Sequence, residues 1–485
     1  MSTDNFPHRE KSWPSTFQTF IEKNKDMCNV IWVSNDMLQY KQLLPVIKHY
    51  PDNPVLVTDD DIIRDRRWVE TFYNDHIIYP DDVIVGTVFD TLNSRLNYID
   101  RRKSGHNIRQ PMTPGMIFNF SKYQAGIGGA LFPPHTFTDP RFFDEKMIIH
   151  TCYKDASLWY WTFNILEGKQ IRLSSMIFSI NLIKETQEET LYSRNDNEYN
   201  EYFNNIKNSM PEISDLLHKR QNKILVSFNF NRAYINNIKV CVNSILRQTK
   251  HIEKKCITIY RNDYGLLPND ILQIFENNNI EVIIADEDLS EYNAYYYPML
   301  KYPDYAVIIV KCNIVYNSNV INNIYNNYLR YPYAVIAQRC SVIHFVNKKV
   351  ILYNAWSFDY PNSLQPLYNI VADPVAAVLY PPNSLGINRD FTKVIRSFIG
   401  YEELYMKYIE NIRNIPVYCT GDNNDFNYID DPNLNKYKLS LYKDRCQQYY
   451  DMYGILNNTN IESSYNTYKD YNSEFNNMIQ LKRKM

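Results

Sequence analysis

Apolar residues fall in short runs separated by polar stretches, each run the length of one strand or one helix face. Val55-Leu56-Val57 has the form of a buried strand and ends in Thr58 and three consecutive carboxylates, Asp59, Asp60 and Asp61. Ile62-Ile63 follows, then a helical pattern that puts Trp68, Val69 and Phe72 on one face. Upstream, residues 29–34 (NVIWVS) predict a strand and 40–48 a short helix. Downstream, 223–230 (KILVSFNF) predict a strand. Residues 233–249 predict a helix with Ile235, Ile238, Val242, Ile245 and Leu246 apolar, and 256–262 and 281–285 predict two further strands. Strands alternating with helices predict an α/β fold with a largely parallel sheet. Residues 184–222 are polar and predict a helix plus a linker, and the Tyr/Asn/Lys-rich tail carries one helical pattern at 438–455.

The pattern recurs. His49-Tyr50-Pro51-Asp52 aligns with Lys301-Tyr302-Pro303-Asp304 at a shift of 252, which also sets Asp36 on Asp288, Tyr40 on Tyr292, Val55 on Val307 and Tyr73 on Tyr325. Leu131-Phe132-Pro133-Pro134 matches Leu379-Tyr380-Pro381-Pro382 at a shift of 248, and Trp159 matches Tyr405 at 246. Three matches in one order predict two tandem copies of one domain. The expected division is an extension at 1–26, a first domain at 27–205, a linker at 206–222, a second domain at 223–430 and a polar tail at 431–485.

With 485 residues, 45% hydrophobic and 22% charged, the chain has the composition of a globular protein of several domains. A net charge of −2 gives no basic field, so no nucleic-acid partner is expected. No apolar run approaches the roughly 20 residues of a bilayer span, and residues 1–13 lack the apolar core of a signal peptide. The eight cysteines include no CxxC pair and predict buried thiols in a reducing compartment. The expected location is therefore cytoplasmic, or peripheral at a membrane.

Candidate chemistry centres on the acidic triplet. Side chains alternate along an extended chain, so Asp59 and Asp61 point to one side and Asp60 to the other. Two carboxylates on one side of a strand end suit a hard divalent cation, in the place where open α/β sheets bind ligands; a solvated acidic turn is the plainer alternative.

TDDDII at 58–63, GIGGALFPP at 126–134, and an acid just before an apolar-aromatic helix (DASLWYWTFNIL, from Asp155) together resemble glycosyltransferases of the GT-A fold, bacterial family-2-like type. SFNFNRAYINNIKVCVNSILRQT, from Ser227, resembles the opening strand and helix of that family. The resemblance implies two tandem GT-A-like, Rossmann-like domains. It also implies a nucleotide-sugar donor, a glycan, lipid-linked or protein acceptor, and transfer with inversion. Asp59 and Asp61 would hold Mn2+ or Mg2+, with Asp60, Gly128 and Gly129 beside the donor. A tight turn is an equal reading of GIGG. Asp155 would be the base, although the positions that align with the family's acid pair are Ala156-Ser157; its alternative role is a helix N-cap. His135 and His150 lie nearby.

The second copy departs from this pattern. Lys311, Cys312 and Asn313 replace the three acids, and Pro374-Val375-Ala376-Ala377 replaces GIGG, while Glu402-Glu403 keep an acid pair. The first copy lacks an opening strand-helix-strand unit. Two functions follow as expectations: a metal-dependent glycosyltransferase active in the first domain, or an inactive relative that binds glycans or a partner.

Overall fold

A computed structural model describes residues 1–90, 115–118, 122–124, 128–176, 178, 181–183, 199–346, 349–350, 356–357, 360, 362–373, 376–388, 391–400, 402–413, 415–421 and 426–428. Pro374, Val375, Gly126 and the helix expected at 438–455 lie outside them. The chain divides into two units, with the main break between Gln221 and Asn222. Both are α/β.

Unit 1 begins with α1 (Ser15–Lys23) and α2 (Leu44–His49), the second preceded by a 3-10 turn, Leu38–Gln42. Next come β1 (Val55–Val57), β2 (Ile62–Ile63), α3 (Trp68–Ile78), β3 (Val83–Val85), β4 (Val88–Asp90), β5 (Ile117–Phe118), β6 (Lys122–Gln124) and β7 (Ala130–Phe132). They are followed by α4 (Glu145–Thr151), α5 (Ala156–Leu166), β8 (Ile171–Leu173), β9 (Asn181–Leu182), α6 (Tyr199–Ser209) and α7 (Glu212–Gln221). The main sheet has the order β1-β7-β3-β8-β5, and only β3 and β8 pair in parallel. β2 pairs with β9 and β4 with β6. Trp68 and Phe72 of α3 pack on Ile84 and Leu131 of the sheet. α5 is apolar nearly all round and is accordingly buried, with Trp159 and Phe163 fully enclosed.

Two expectations fail here. Residues 29–34 are not a strand: Val33 makes only an isolated bridge to Ser2, because its backbone partners are Met1 and Thr3 and no sheet strand runs beside it. Residues 206–222 are not a linker. They hold the end of α6 and all of α7, whose Ile213 and Leu217 are buried and whose Arg220 donates to the carbonyls of Asn164 and Lys169. The low hydrophobicity of that stretch concealed an amphipathic helix with one narrow buried stripe.

Unit 2 opens with the strands that unit 1 lacks. β10 (Ile224–Asn229), α8 (Ile238–Leu246), β11 (Lys254–Tyr260), α9 (Asn269–Asn277) and β12 (Ile280–Ala285) form a parallel β-α-β-α-β run. α10 (Asn293–Lys301), β13 (Ala306–Lys311), β14 (Ile314–Tyr316), α11 (Val320–Arg330), β15 (Val335–Ala337), β16 (Cys340–Val342), β17 (Ile370–Ala372), β18 (Val378–Tyr380), α12 (Glu402–Ile412), β19 (Val417–Cys419) and β20 (Phe426–Tyr428) follow. The seven-stranded sheet runs β12-β11-β10-β13-β18-β15-β19, a mixed and mostly parallel, Rossmann-like arrangement. Its strand order reverses between β10 and β13, where such sheets open a crevice at their carboxyl ends.

The last four strands of that order pair as β1-β7-β3-β8 do: antiparallel, antiparallel, parallel. Val55 faces Phe132 and Val307 faces Tyr380; Ile84 faces Leu131 and Ile336 faces Leu379; Val83 faces Ile171 and Val335 faces Val417. The side pairings β2–β9 and β4–β6 have counterparts in β14–β20 and β16–β17.

Candidate functional site

β1 stops at Val57, and the chain leaves the sheet through Thr58 into the acidic triplet. Asp59 and Asp61 are half-buried and Asp60 is exposed, the two-sided arrangement that alternation requires. Gln42, just ahead of α2, donates from Nε2 to Asp59 Oδ1 at 3.4 Å. Arg64 donates from Nε to Thr58 Oγ1 at 2.7 Å, and its guanidinium lies 4.8 Å from the Trp68 ring centre. The Asp61 carbonyl accepts from Ile183 N at 2.9 Å, tying the triplet to the end of β9.

Burial raises the Asp59 pKa. The neighbouring charges of Asp61 and Asp60 add to the rise, while the Gln42 hydrogen bond and Arg64 oppose it. Burial also lowers the Arg64 pKa, against the pull of Asp59 and Asp61. The site thus sets one carboxylate, Asp59, destabilised by burial, beside Asp61 and one cation, Arg64, held in place by a hydroxyl and an indole. Arg64 and Gln42 are the functional candidates that the sequence pattern missed: Arg64 sits among the charges of a DDIIRDRR run, and Gln42 comes from a different element.

Among the described residues no three His, Cys, Asp or Glu side chains gather as a metal-binding group. Two carboxylates still fit Mg2+ or Mn2+ of the kind shared with a diphosphate, which takes one or two protein oxygens and completes its shell with water and phosphate.

Gly128 and Gly129 meet protein. Trp68 Nε1 donates to Gly128 O at 3.3 Å, and Gly86 N donates to Gly129 O at 3.0 Å. A Cβ on Gly128 would press on the Thr87 backbone, and one on Gly129 would run into the Trp68 ring and lie 3.0 Å from Val57 O. Gly129 also has φ +80°, open to glycine and strained for other residues. The absent side chains therefore let the β7 entry, the β3 exit and the Trp68 indole close together.

Asp155 is buried and caps α5, its side chain accepting from Leu158 N at 3.0 Å. The Tyr40 hydroxyl donates to Cys152 O, which anchors the 3-10 turn near Gln42 to the same corner. His135 Nε2 lies 3.1 Å from Asp52 Oδ1 on the open surface, and His150 is exposed on the last turn of α4.

In unit 2 the corresponding strand ends in Lys311. Its Nζ donates to Glu291 Oε1 and Oε2 at 3.0 and 3.2 Å. Burial alone would lower the Lys311 pKa, but Glu291, Glu403 and Asp373 together raise it. Burial and the Glu291 charge raise the Glu402 pKa. Here one ammonium stands among carboxylates drawn from other elements.

No family model matches the chain, and no curated protein matches it. Among solved structures, S. aureus TarS is 12% identical over 44% of this chain and 38% of that chain, at a TM-score of 0.26. S. aureus TarS 1-349 in complex with UDP is 13% identical over 45% and 63%, at 0.27. The inositol-1-phosphate CTP transferase from T. maritima is 9% identical over 46% and 96%, at 0.25. This chain therefore spans less than two thirds of either TarS chain. None of the helices described is long and apolar enough to cross a membrane.

Proposed function

We propose that this chain is a glycosyltransferase-like protein of the GT-A type. It is built from two copies of one domain, and Asp59 and Asp61 hold a divalent cation against the diphosphate of a nucleotide-sugar donor. The observation that carries the reading is the half-buried pair of like charges at the carboxyl end of β1, with Asp60 turned outward. Bringing two carboxylates together and partly out of water costs stability, and a cation that binds both offsets that cost. When bound, Mn2+ or Mg2+ would neutralise charge on the departing diphosphate. Gln42 would hold the Asp59 carboxylate in orientation, and Arg64 would add a fixed positive charge beside it. Support for duplication comes from the shared strand order and from cross-strand pairs that reproduce the shifts of 252, 248 and 246 between the two sequence copies.

Asp155 is the candidate base for the acceptor hydroxyl. Asp155→Asn keeps the Oδ1 acceptor that caps α5 and removes the basic oxygen. The expected outcome is unchanged thermal stability with transfer lowered at least about a hundredfold; a variant that transfers normally removes Asp155 from the mechanism.

The primary test is calorimetric titration of UDP-, GDP- and CMP-sugars with and without Mn2+. Wild-type chain should bind at least one donor only with metal, and Asp61→Ala should abolish that binding with the melting temperature preserved. Donor binding by Asp61→Ala with metal would sink the site. Arg64 favours a second reading, an inactive scaffold whose carboxylates are balanced internally; silence of the wild-type chain across the whole panel selects it.

A further inference from the structure

The outward side of α3 carries Val69, Tyr73 and Ile77, four residues apart on one stripe, 61%, 54% and 62% exposed, joined by Ile78 at 64% and by Ile63 of β2 at 62%. Val69, Tyr73 and Ile77 thus make one exposed apolar stripe, roughly a few hundred Å2, of the size that on a monomer's surface is often functional. In unit 2 the positions that match Val69 and Tyr73 are covered: Ile321 is fully enclosed and Tyr325 nearly so, while Val315 and Leu329 are half-buried and the position of Ile78 is an exposed Arg330. Gln248 accepts from Ile321 N at 3.0 Å, Lys250 Nζ lies 3.8 Å from the Tyr325 ring centre, and Ser244 of α8 accepts from Tyr316 N at 3.1 Å. The cover in unit 2 is α8 and the segment after it, part of the run that has no counterpart in unit 1.

We propose that the α3 stripe is a two-fold interface with a second copy of this chain, the two α3 helices packing antiparallel. Correspondence with α11 rests on the duplication inferred above; the exposure of the stripe does not. Tyr73 is the middle residue of Trp68–Ile78, with Val69 and Ile77 four residues to either side. An antiparallel pair therefore sets Tyr73 against Tyr73 at the axis and Val69 against Ile77 of the second copy, an isologous match. The ends are complementary too. Exposed Arg66 precedes the helix, next to Arg67, which is paired with Asp65 at 3.3 Å, and exposed Asp81 follows it. Antiparallel packing brings Arg66 toward the carbonyl end and Asp81 of the other copy, where positive charge is favoured. A stripe of roughly a few hundred Å2 per copy falls below the ~800 Å2 per partner of a standard complex, so the dimer should be reversible, with Kd on the order of 10 μM.

Sedimentation velocity of the full chain up to about 200 μM tests this. The wild-type chain should pass from monomer to dimer, Tyr73→Phe should match it, and Tyr73→Lys should weaken association at least tenfold with no change in melting temperature. Under mild oxidation, Tyr73→Cys should form a covalent dimer above the wild-type background, whereas Ile77→Cys alone should not, since its opposite residue is Val69. A wild-type chain that stays monomeric throughout overturns the proposal. So does a dimer that Tyr73→Lys leaves intact, or equal cross-linking from both cysteine variants. These readouts contain no donor or metal, so failure of the glycosyltransferase reading would not register in them.

Discussion

Asp59 and Lys311 occupy corresponding places at the ends of β1 and β13 and carry opposite charge. In unit 1 the acids come from the strand end and the fixed cation from Arg64, a few residues on. In unit 2 the cation is the strand-end residue itself, and the acids come from Glu291, Glu402 and Glu403. In the first, three neighbouring acids stand beside one arginine; in the second, the strand-end lysine is itself the counter-ion. The scaffold around them changes in step. Gly128, Gly129, Gly86 and Trp68 of unit 1 correspond to Ala376, Ala377, Gln338 and Val320 of unit 2. The backbone contact between strands survives, as Gly86 N to Gly129 O at 3.0 Å and Gln338 N to Ala377 O at 3.1 Å. Glycine appears where the large indole needs room, and alanine where a valine leaves it.

The contrast breaks most sharply at Lys311. Lys311→Met strips the counter-ion from half-buried carboxylates and should cost about 3 kcal/mol, the low end for a buried pair, in urea unfolding near pH 7. The cost should shrink as pH falls and Glu402, whose pKa burial and the Glu291 charge already raise, takes up its proton. Because the folded-state pKa is raised, the lysine's own contribution is complete below its ordinary pKa and is lost only as pH rises through the higher folded value. A Lys311→Met chain as stable as wild type at neutral pH would show that the acids do not depend on it.

The glycine–indole exchange comes next. Gly129→Ala should destabilise by about 2–4 kcal/mol, from the positive φ and the collision with Trp68. Trp68→Val in the same chain, restoring the unit 2 pairing, should recover part of that loss as a coupling of about 1 kcal/mol or more. Simple additivity in the double-mutant cycle would deny that the two residues answer to each other.

The smallest effect concerns Asp59. A raised carboxyl pKa favours the fold fully below the ordinary aspartate range, and the benefit is lost as pH rises through the folded value. At pH 7 the ionised, half-buried group is therefore a cost, and Asp59→Asn should be about 0.5–1 kcal/mol more stable than wild type, with the difference gone near pH 3. Saturating Mn2+ should reverse the order, since only the wild-type chain keeps both carboxylates. An Asp59→Asn variant that is less stable at pH 7 without metal would mean that Arg64 already compensates the pair.

Legibility followed burial. β1, β10, β11 and β12 are largely apolar runs and appear as strands at nearly the expected residues, because a buried strand must be apolar whatever surrounds it. The stretch at 29–34 has the same look and makes one bridge, since a strand also needs a neighbour and the one that would pair with it is missing. Helix α7 hid in polar sequence because only two of its buried residues, Ile213 and Leu217, are apolar, with buried Gln221 and the Arg220 hydrogen bonds completing the dock. Asp155, read from the resemblance as a base with a helix cap as its alternative, accepts from Leu158 N, a cap that follows from local chain geometry.

Taken alone, the order of residues determined the α/β class, the two-sided display of the acidic triplet and the spacings at which the two units carry similar residues. Each depends on period and spacing, which neighbouring residues already contain. Only the tertiary structure decided that Gln42 and Arg64 reach the acids, that Gly128 and Gly129 make room for Trp68, and that Lys311 is held by Glu291. Those outcomes depend on contacts between segments tens of residues apart or on the turn each side chain takes out of the sheet, and distance and desolvation arise only once the chain has closed on itself.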